Sequence, residues 1–193
     1  NNGSAFRITL QDALANDMLV PFHYFGISDL AIDDATIDDH SMFSKLTSDE
    51  RTKHVISKIE DYTIDKENIK GLIFCNFNDE AQTLSDKFNN LGWRTLALSG
   101  KNNNEERRKA IEKLENGEIQ YIFSRDIFNE GIDIPSVNQI IMLRRTDSPI
   151  VFTQQLGRGL RLQDGKEFTL VLDFIGNYQK NFCIPVALTG DRS

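Results

Sequence analysis

From about residue 48 onward, short apolar runs alternate with longer amphipathic stretches. The apolar runs have the length and composition of buried strands, and they cover residues 72–75, 95–98, 119–123, 139–143 and 168–174. Between two of these runs, Ala81, Leu84, Phe88 and Leu91 recur at the spacing of one helix face, and Gly92 is expected to end that helix. This alternation predicts an α/β fold, in which a parallel sheet is covered by helices on both faces.

Capping residues predict where several helices begin. Residues 47–50, Thr-Ser-Asp-Glu, have the form of a capping box, and Asn103 or Asn104 can cap a helix that Gly117 ends. Ser148-Pro149 combines a capping hydroxyl with a proline in the first turn, which predicts one more helix start.

Residues 1–50 differ from the rest because they lack sustained periodicity. They contain an aromatic stretch at residues 21–25 and an acidic one at residues 29–39. We expect residues 1–47 to form a segment that links domains and packs through its aromatic side chains. Residues 48–178 are expected to form the main domain, and residues 179–193 to lead to a further domain or extension.

The net charge of −7 is unusual for a protein that binds nucleic acid, but the acidic excess is local. Residues 1–50 hold nine acidic and two basic side chains, whereas residues 51–193 hold twenty of each. Residues 144–166 hold five basic and two acidic side chains. A basic face for phosphates is therefore compatible with the overall charge.

The cysteine and histidine patterns bear on compartment and metal binding. The two cysteines, Cys75 and Cys183, form no CxxC pair, which disfavours a disulfide or zinc framework and favours a reducing, cytoplasmic setting. His23, His40 and His54 lack the spacing of metal ligands, and no apolar run is long enough to span a membrane. The sequence thus predicts neither a metal site nor a membrane partner.

Three segments carry residue types that suit phosphate chemistry. In residues 124–135, Ser124 suits a phosphate, Gly131 a close backbone approach, and Asp133 ribose hydroxyls. Arg158 and Arg161 are three residues apart, so on a helical turn they point the same way, as paired guanidinium groups for a triphosphate would. Residues 143–149 connect the two. Taken alone, the first and third segments are better explained as solvated turns, and the arginines equally well as a helix end.

The order and spacing of the segments decide between these interpretations. Residues 71–175 resemble the C-terminal, RecA-like helicase domain of superfamily 2. Within it, residues 72–75 resemble motif IV, residues 124–135 motif V with serine for the usual threonine, and residues 154–161 motif VI, Gln-x-x-Gly-Arg-x-x-Arg. Arg107 or Arg108, with Leu114 and Gly117, matches the helix before motif V.

A narrower resemblance is to the bacterial DEAD/DEAH-box helicases related to restriction-enzyme motor subunits, the type III restriction group. Residues 143–161, 172–178 and 21–27 carry it. The DEAD-box form of motif VI has His-Arg where this chain has Gln154-Gln155, so the RNA-specific branch is disfavoured. The resemblance implies the second motor domain of an ATP-dependent helicase or translocase, with DNA favoured over RNA.

The resemblance also implies roles for individual residues. Arg158 and Arg161 would be arginine fingers on ATP bound with Mg²⁺. The residues implied to face the nucleotide or the cleft between domains are Gly131, Asp133, Gln154, Gln155 and Gly157. Those implied to contact nucleic acid are Ser99, Gly100, Ser124, Arg125 and Arg144. Asp173, at a predicted strand end, is expected to make a structural hydrogen bond.

A complete motor also needs a P-loop, and no Gly-x-x-x-x-Gly-Lys-Ser/Thr occurs in this sequence. Residues 79–82, Asp-Glu-Ala-Gln, have the letters of a DExx box, but they open an amphipathic helix without a preceding P-loop. We interpret their acidic residues as helix-start residues. A P-loop motor domain is therefore expected before residue 1, in the same chain, where it binds most of the ATP and Mg²⁺, and this chain alone is expected to be inactive.

Two alternatives remain open from sequence. One is a nucleic-acid-binding module with a degenerate, non-catalytic motor fold, which the intact arginines and Asp133 disfavour. The other is a nucleotide-binding α/β regulator of flavodoxin-like type, which the missing phosphate-cradling glycine loop disfavours. A P-loop and a DExx box upstream of residue 1 would decide against both.

Overall fold

A computed structural model describes residues 19–29, 43–125, 134–144 and 160–175. The strands are β1 (Phe22–Ser28), β2 (Gly71–Phe74), β3 (Thr95–Leu98), β4 (Tyr121–Ser124), β5 (Gln139–Met142) and β6 (Thr169–Ile175). The helices are α1 (Phe43–Leu46), α2 (Asp49–Tyr62), α3 (Asn78–Asn90) and α4 (Asn104–Glu115). The helix start predicted at Ser148-Pro149 lies outside the described residues.

The described strands form one parallel sheet in the order β1-β6-β5-β2-β4-β3. At its centre, Ile73 of β2 is aligned with Phe123 of β4 and Ile141 of β5. Because these strands run in one direction, their C-terminal ends meet along one side of the sheet, which we call the carboxyl edge. The predicted α/β fold is confirmed, and the connections that leave β2, β3, β4 and β5 begin at the carboxyl edge.

Successive side chains of a strand point to opposite faces, so the described part of the chain has a hydrophobic cluster on each face. One cluster lies under α4 and includes Leu72, Ile140, Val171, Ala110 and Leu114. The other lies under α2 and α3 and includes Ile73, Ile141, Val55, Ile59, Leu84 and Phe88. None of the described helices is long and apolar enough to cross a membrane.

The helix ends follow the capping residues. Ser48 caps α2, and its side chain accepts a hydrogen bond from the backbone N of Arg51 at 3.2 Å. Asn103, rather than Asn104, caps α4. Its Oδ1 accepts from the backbone N of Glu106 at 2.9 Å, and Glu106 Oε2 accepts from the backbone N of Asn103 at 3.0 Å. This reciprocal pair is a capping box.

The periodicity does not predict β1, which contains most of the aromatic stretch. β1 pairs in parallel with β6, with Phe22 opposite Thr169 and Ser28 opposite Ile175. It is an edge strand, and most of its side chains are partly or fully exposed, so no clean alternation marks it. Its aromatic rings do pack: the Phe25 ring lies 4.5 Å from that of Tyr62, centroid to centroid.

A buried arginine, Arg51 of α2, joins the ends of several elements. Its Nε donates to both carboxylate oxygens of Asp29, at 3.0 and 2.9 Å, and its Nη1 donates to Glu80 Oε1 at 3.2 Å. Nη1 and Nη2 also donate to the backbone oxygens of Leu46 at 2.7 Å and Leu143 at 3.4 Å. The Arg51 side chain is 2% exposed and both carboxylates are fully buried. We call Asp29, Arg51 and Glu80 the Arg51 cluster.

The charges of the Arg51 cluster depend on one another. Burial alone lowers the pKa of Arg51, but the hydrogen bonds and charges of Asp29 and Glu80 outweigh it, so this pKa is raised. Burial raises the pKa of Glu80, and Arg51 opposes that shift. An isolated buried charge is strongly unfavourable, so loss of Arg51 would leave two buried carboxylates without a compensating cation.

Arg51→Met removes the cation and leaves two buried carboxylates. We expect the free energy of unfolding to fall by about 3–5 kcal/mol, measured from urea midpoints. Lys53→Met, a change of an exposed lysine on the same helix, should alter it by less than about 0.5 kcal/mol. Adding Asp29→Asn and Glu80→Gln to Arg51→Met should recover part of the loss. Equal stability of the Arg51 and Lys53 variants would contradict the prediction.

Candidate functional site

Several predicted phosphate-binding residues lie along the carboxyl edge. Ser99 and Gly100 follow β3, Ser124 and Arg125 lie at the end of β4, and Arg144 follows β5. The Nη1 of Arg144 donates to the backbone O of Arg125 at 3.0 Å, although β2 lies between β4 and β5 in the sheet. The structure therefore brings these two predicted residues together across the end of β2.

Ser99 and Gly100 form a turn that leads into α4. The backbone N of Ser99 donates to Asn102 Oδ1 at 2.8 Å, and the backbone N of Asn102 donates to Ser99 O at 3.0 Å. Gly100 is exposed, and a Cβ added there would meet no atom within 4 Å. The turn is fixed by its own hydrogen bonds and leaves Gly100 exposed, but the adjacent start of α4 is closed by its capping box, so the phosphate contact of Ser99 and Gly100 stays a prediction.

Ser124 is placed differently from an exposed phosphate ligand. Its side chain is fully buried, and its Oγ has no hydrogen-bond partner among the described residues. Its backbone O accepts from the backbone N of Cys75 at 2.9 Å. A phosphate could bond this hydroxyl only after it became exposed, so the role of Ser124 stays a prediction.

The structure separates the two arginines that match the helix before motif V. Arg108 is exposed and pairs with Glu112 along α4, at 3.2 Å between Nη1 and Oε1. Arg107 is half-buried, and its Nε is buried with no hydrogen-bond partner in the described part of the chain. Of the two, Arg107 is therefore the arginine that faces inward.

The predicted catalytic segments are described only at their ends. Most of the predicted residues lie outside the described ranges: Gly131, Asp133, Gln154, Gln155, Gly157 and Arg158. The residues that flank them are described. Ile134 and Leu160 are fully buried in the cluster under α4, and Arg161 is exposed. Buried apolar anchors thus lie directly beside the two segments.

Lys166 makes two polar contacts that the sequence does not predict. Its Nζ donates to the backbone O of Pro135 at 3.0 Å and to the backbone O of Arg161 at 3.3 Å. Burial lowers the pKa of Lys166 to about 8. The neighbouring Asp164-Gly165 dipeptide is a turn signal, but nothing in the sequence indicates where the lysine side chain points.

Asp173 makes the structural hydrogen bond that was expected of it. Tyr24 Oη donates to Asp173 Oδ2 at 2.7 Å, between β1 and β6. Burial raises the pKa of Asp173 to about 6, and the hydrogen bond from Tyr24 opposes that shift. The pair joins the edge strand to its neighbour beneath the carboxyl edge.

Glu80, in the segment that resembles a DExx box, is already engaged. Its Oε2 accepts hydrogen bonds from the backbone N of Asn76 at 2.7 Å and of Phe77 at 3.3 Å, and its Oε1 accepts from Arg51. Glu80 therefore satisfies the start of α3, and its interpretation as a helix-start residue is confirmed.

A cavity of about 450 Å³ lies at the opposite, amino-terminal side of the sheet. Its lining amides are bonded within the protein: Gln139 Oε1 accepts from Tyr121 Oη at 2.6 Å, and Gln139 Nε2 donates to Thr63 Oγ1 at 3.1 Å. Asn138 Oδ1 likewise accepts from the backbone N of Lys70 at 3.0 Å. These contacts support the fold and lie away from the carboxyl edge.

Comparison with known proteins gives a family match. The family described as "Helicase conserved C-terminal domain" matches residues 50–163, more than half of the chain. The putative ATP-dependent helicase IRC3 of Saccharomyces cerevisiae is 30% identical over 169 residues, covering 86% of this chain and 24% of the relative. Other relatives are named as pre-mRNA-splicing ATP-dependent RNA helicases. This chain spans between 18% and 38% of the lengths of three curated relatives.

Solved structures share the RecA-like fold. A fragment of a putative HsdR subunit of a type I restriction enzyme from Vibrio vulnificus YJ016 has a TM-score of 0.69 at 20% identity, covering 90% of this chain and 35% of that chain. The ATP-dependent Type ISP restriction-modification enzyme LlaBIII, bound to DNA, has a TM-score of 0.62 at 17% identity, covering 89% of this chain and 13% of that chain. At these identities the likeness concerns the fold.

Asp173→Asn tests the charge beneath the carboxyl edge. Because the pKa of Asp173 is raised from 3.8 to about 6, its contribution to stability is full below about pH 4 and is lost as the pH rises through about 6. Asparagine does not titrate and can still accept from Tyr24. The stability of the variant relative to wild type should therefore rise by up to about 3 kcal/mol between about pH 4 and pH 7.

The measurement is urea unfolding of both proteins across that pH range. Asp61→Asn, at an exposed carboxylate, is the matched control and should show little pH-dependent difference. A stability difference for Asp173→Asn that is independent of pH would rule out the shifted titration.

Proposed function

The chain belongs to the family of helicase conserved C-terminal domains, and from this premise we propose that it is the second RecA-like motor domain of an ATP-dependent helicase or translocase that acts on DNA. A P-loop domain that precedes residue 1 would bind most of the ATP and Mg²⁺. This chain would supply arginine fingers and contacts to the nucleic-acid backbone.

One observation carries the proposal: the family match includes the whole of residues 154–161, and Arg161 at its end is exposed beside the buried Leu160. A buried anchor next to an exposed arginine suits a side chain presented to a neighbouring domain. Arg158 and Arg161 would then reach the phosphates of ATP when the two motor domains close. Arginines in this role are worth roughly 10³–10⁵ in rate in other phosphoryl-transfer enzymes.

The donor set fits an anionic nucleotide. Guanidinium groups bond phosphate oxygens with two parallel donors, and they stay charged at any physiological pH. The two motor domains would close when ATP is bound between them, and hydrolysis of its terminal phosphoryl group would release that closure. Gly131, Asp133, Gln154, Gln155 and Gly157 would line the nucleotide or the cleft. We assign Mg²⁺ to the preceding domain, because in P-loop motors the ligands of that ion belong to the P-loop and its partner carboxylate.

We assign the nucleic-acid contacts to the carboxyl edge. Ser99 and Gly100 form a turn in which Gly100 is exposed, and Arg144 with Arg125 adds positive charge across the end of β2. Ser124 would join them once exposed. Contacts of this kind address phosphates, so binding should depend on salt and little on sequence.

DNA is our choice of substrate on two grounds. Gln154-Gln155 replaces the His-Arg of the RNA-specific DEAD-box form, and one of the proteins with the same fold is bound to DNA. Some relatives are named as RNA helicases, so a preference for RNA is the result that would contradict this choice of substrate.

For the organisation of the chain, we propose a helicase domain of residues 48–178 whose sheet is completed by β1 from the preceding linker, residues 1–47. The pairing of β1 with β6 supports this arrangement. Residues 179–193 would lead to a further domain.

We also propose a cytoplasmic setting. Cys75 is a free, fully buried thiol, and burial raises its pKa, so it stays protonated and unreactive.

Arg158→Ala and Arg161→Ala test the fingers in the full-length protein. Each should lower the kcat of nucleic-acid-stimulated ATP hydrolysis by roughly 10³-fold or more, because positive charge at the transition state is lost. Arg94→Ala, an exposed arginine before β3, is the matched control and should leave kcat unchanged. Near wild-type turnover of both finger variants would refute the assignment. Nucleic-acid binding by a wild-type protein that hydrolyses no ATP would instead support the non-catalytic module.

Substrate choice is tested by stimulation of ATPase with duplex DNA, single-stranded DNA and RNA of equal length. We expect the strongest stimulation from DNA. Arg144→Ala should weaken binding to every DNA sequence alike. It should also reduce the slope of the logarithm of the binding constant against the logarithm of salt concentration by about one. Stronger stimulation by RNA would contradict the choice of DNA, and an unchanged salt dependence would contradict the role of Arg144.

A further inference from the structure

Lys166 is directed by a tight turn toward the ends of both predicted catalytic segments. The backbone N of Lys166 donates to Gln163 O at 3.1 Å. Gly165, between them, has a φ of +79°, a left-handed conformation that glycine adopts without strain. The turn allows the side chain to point back along the chain, where Nζ bonds the backbone oxygens of Pro135 and Arg161.

These two carbonyls belong to segments that are distant in sequence. Pro135 follows the segment that contains Asp133, the predicted ribose contact, and precedes β5. Arg161 is itself a predicted finger, and it leads toward β6. One ammonium group therefore spans the ends of both segments, at 3.0 Å from Pro135 O and 3.3 Å from Arg161 O.

We propose that Lys166 is a positioning residue for ATP hydrolysis: by donating to the carbonyls of both Pro135 and Arg161, it holds the described end of the Asp133 segment and the predicted finger Arg161 in one arrangement. The inference rests on the proposed function, because it takes Arg161 to act on ATP. Lys166 itself makes no contact with nucleotide in this proposal.

The charge of Lys166 is unfavourable for stability taken alone. Burial lowers its pKa to about 8, so desolvation opposes the charged form. An apolar side chain would meet no such opposition. An ammonium group, however, can donate to two backbone oxygens at once, which an apolar side chain cannot do. The two hydrogen bonds offset part of this cost, and they hold the two carbonyls at a fixed distance from each other.

Neighbouring contacts limit what the loss of Lys166 would disturb. Ile134 and Leu160 are fully buried in one cluster, and the backbone N of Val20 donates to Leu160 O at 2.8 Å. These contacts do not involve Lys166, so they would keep both segments attached to the sheet. The direct effect would fall on the peptide group of Arg161 and so on the direction of its side chain.

The test is steady-state ATPase of the full-length protein with saturating duplex DNA. For Lys166→Met we expect kcat to fall about tenfold or more, because a displacement of about 1 Å at a catalytic group can cause such losses. The KM for ATP should change less than about threefold, since ground-state binding is left in place. Lys166→Arg, which restores a cation with several donors, should recover most of kcat.

Two controls accompany these variants. Lys58→Met, at a lysine of α2 on the other face of the sheet, should match wild type in kcat and KM. The Tm of Lys166→Met should stay close to that of wild type, because removal of a half-buried charge and loss of its two hydrogen bonds act in opposite directions. A lower Tm with a parallel loss of kcat that arginine does not restore would make Lys166 a structural residue and overturn the proposal.

A double-mutant cycle with Arg161→Ala separates this inference from the proposed function. If Lys166 acts through Arg161, Lys166→Met should lower the activity of Arg161→Ala by less than about twofold. The positioning role is overturned if the effects of the two substitutions on kcat are fully additive, or if Lys166→Met has no effect in the wild-type background. In either case, a large effect of Arg161→Ala leaves the proposed function standing. Unchanged activity of Arg161→Ala removes the proposed finger and the inference with it.

Discussion

The contact of Arg51 with Asp29 and Glu80 sets the arrangement of the carboxyl edge. Three charged side chains are held almost out of contact with water, and both carboxylates depend on the Arg51 cation within hydrogen-bond distance. Asp29 follows β1, Arg51 belongs to α2, and Glu80 belongs to α3. Hydrophobic contacts are not directional, so the two hydrophobic clusters alone would not fix the relative positions of these elements. The directional hydrogen bonds of the Arg51 cluster fix them.

The fixed cluster is continuous with the polar residues above the strands. Arg51 Nη2 and Asn76 Nδ2 both donate to Leu143 O, at 3.4 and 3.2 Å, directly before Arg144. Arg144 in turn donates to Arg125 O. A chain of hydrogen bonds therefore runs from α2 to the ends of β5 and β4. Lys166 plays a similar part for the connections that lead into β5 and β6. Arg51, which is buried, and Lys166, which is half-buried, thus each bond backbone oxygens from distant parts of the sequence.

The apolar runs predicted β2 to β6 because strands buried on both faces leave a plain hydrophobic signal, and capping residues predicted the starts of α2 and α4 because capping is local. β1 gave no such signal, since an edge strand is covered on fewer sides. The Arg51 cluster was detectable in principle: Arg51 precedes Val55 and Ile59 at intervals of four, so it continues the buried stripe of α2. Lys166 was not, because a loop has no period from which burial can be inferred.

The same physics explains why the segment before α2 is part of the domain. β1 supplies a full set of parallel pairs to β6, its Tyr24 bonds Asp173, and Asp29 at its end neutralises Arg51. Just before β1, Val20 bonds the carbonyl of Leu160, next to Arg161. Removing this segment would expose the edge of β6, leave Arg51 without its nearest carboxylate and free Leu160. Composition alone suggests that this stretch is an acidic linker. Its described part, residues 19–29, is instead bound at both ends to residues that surround the candidate site.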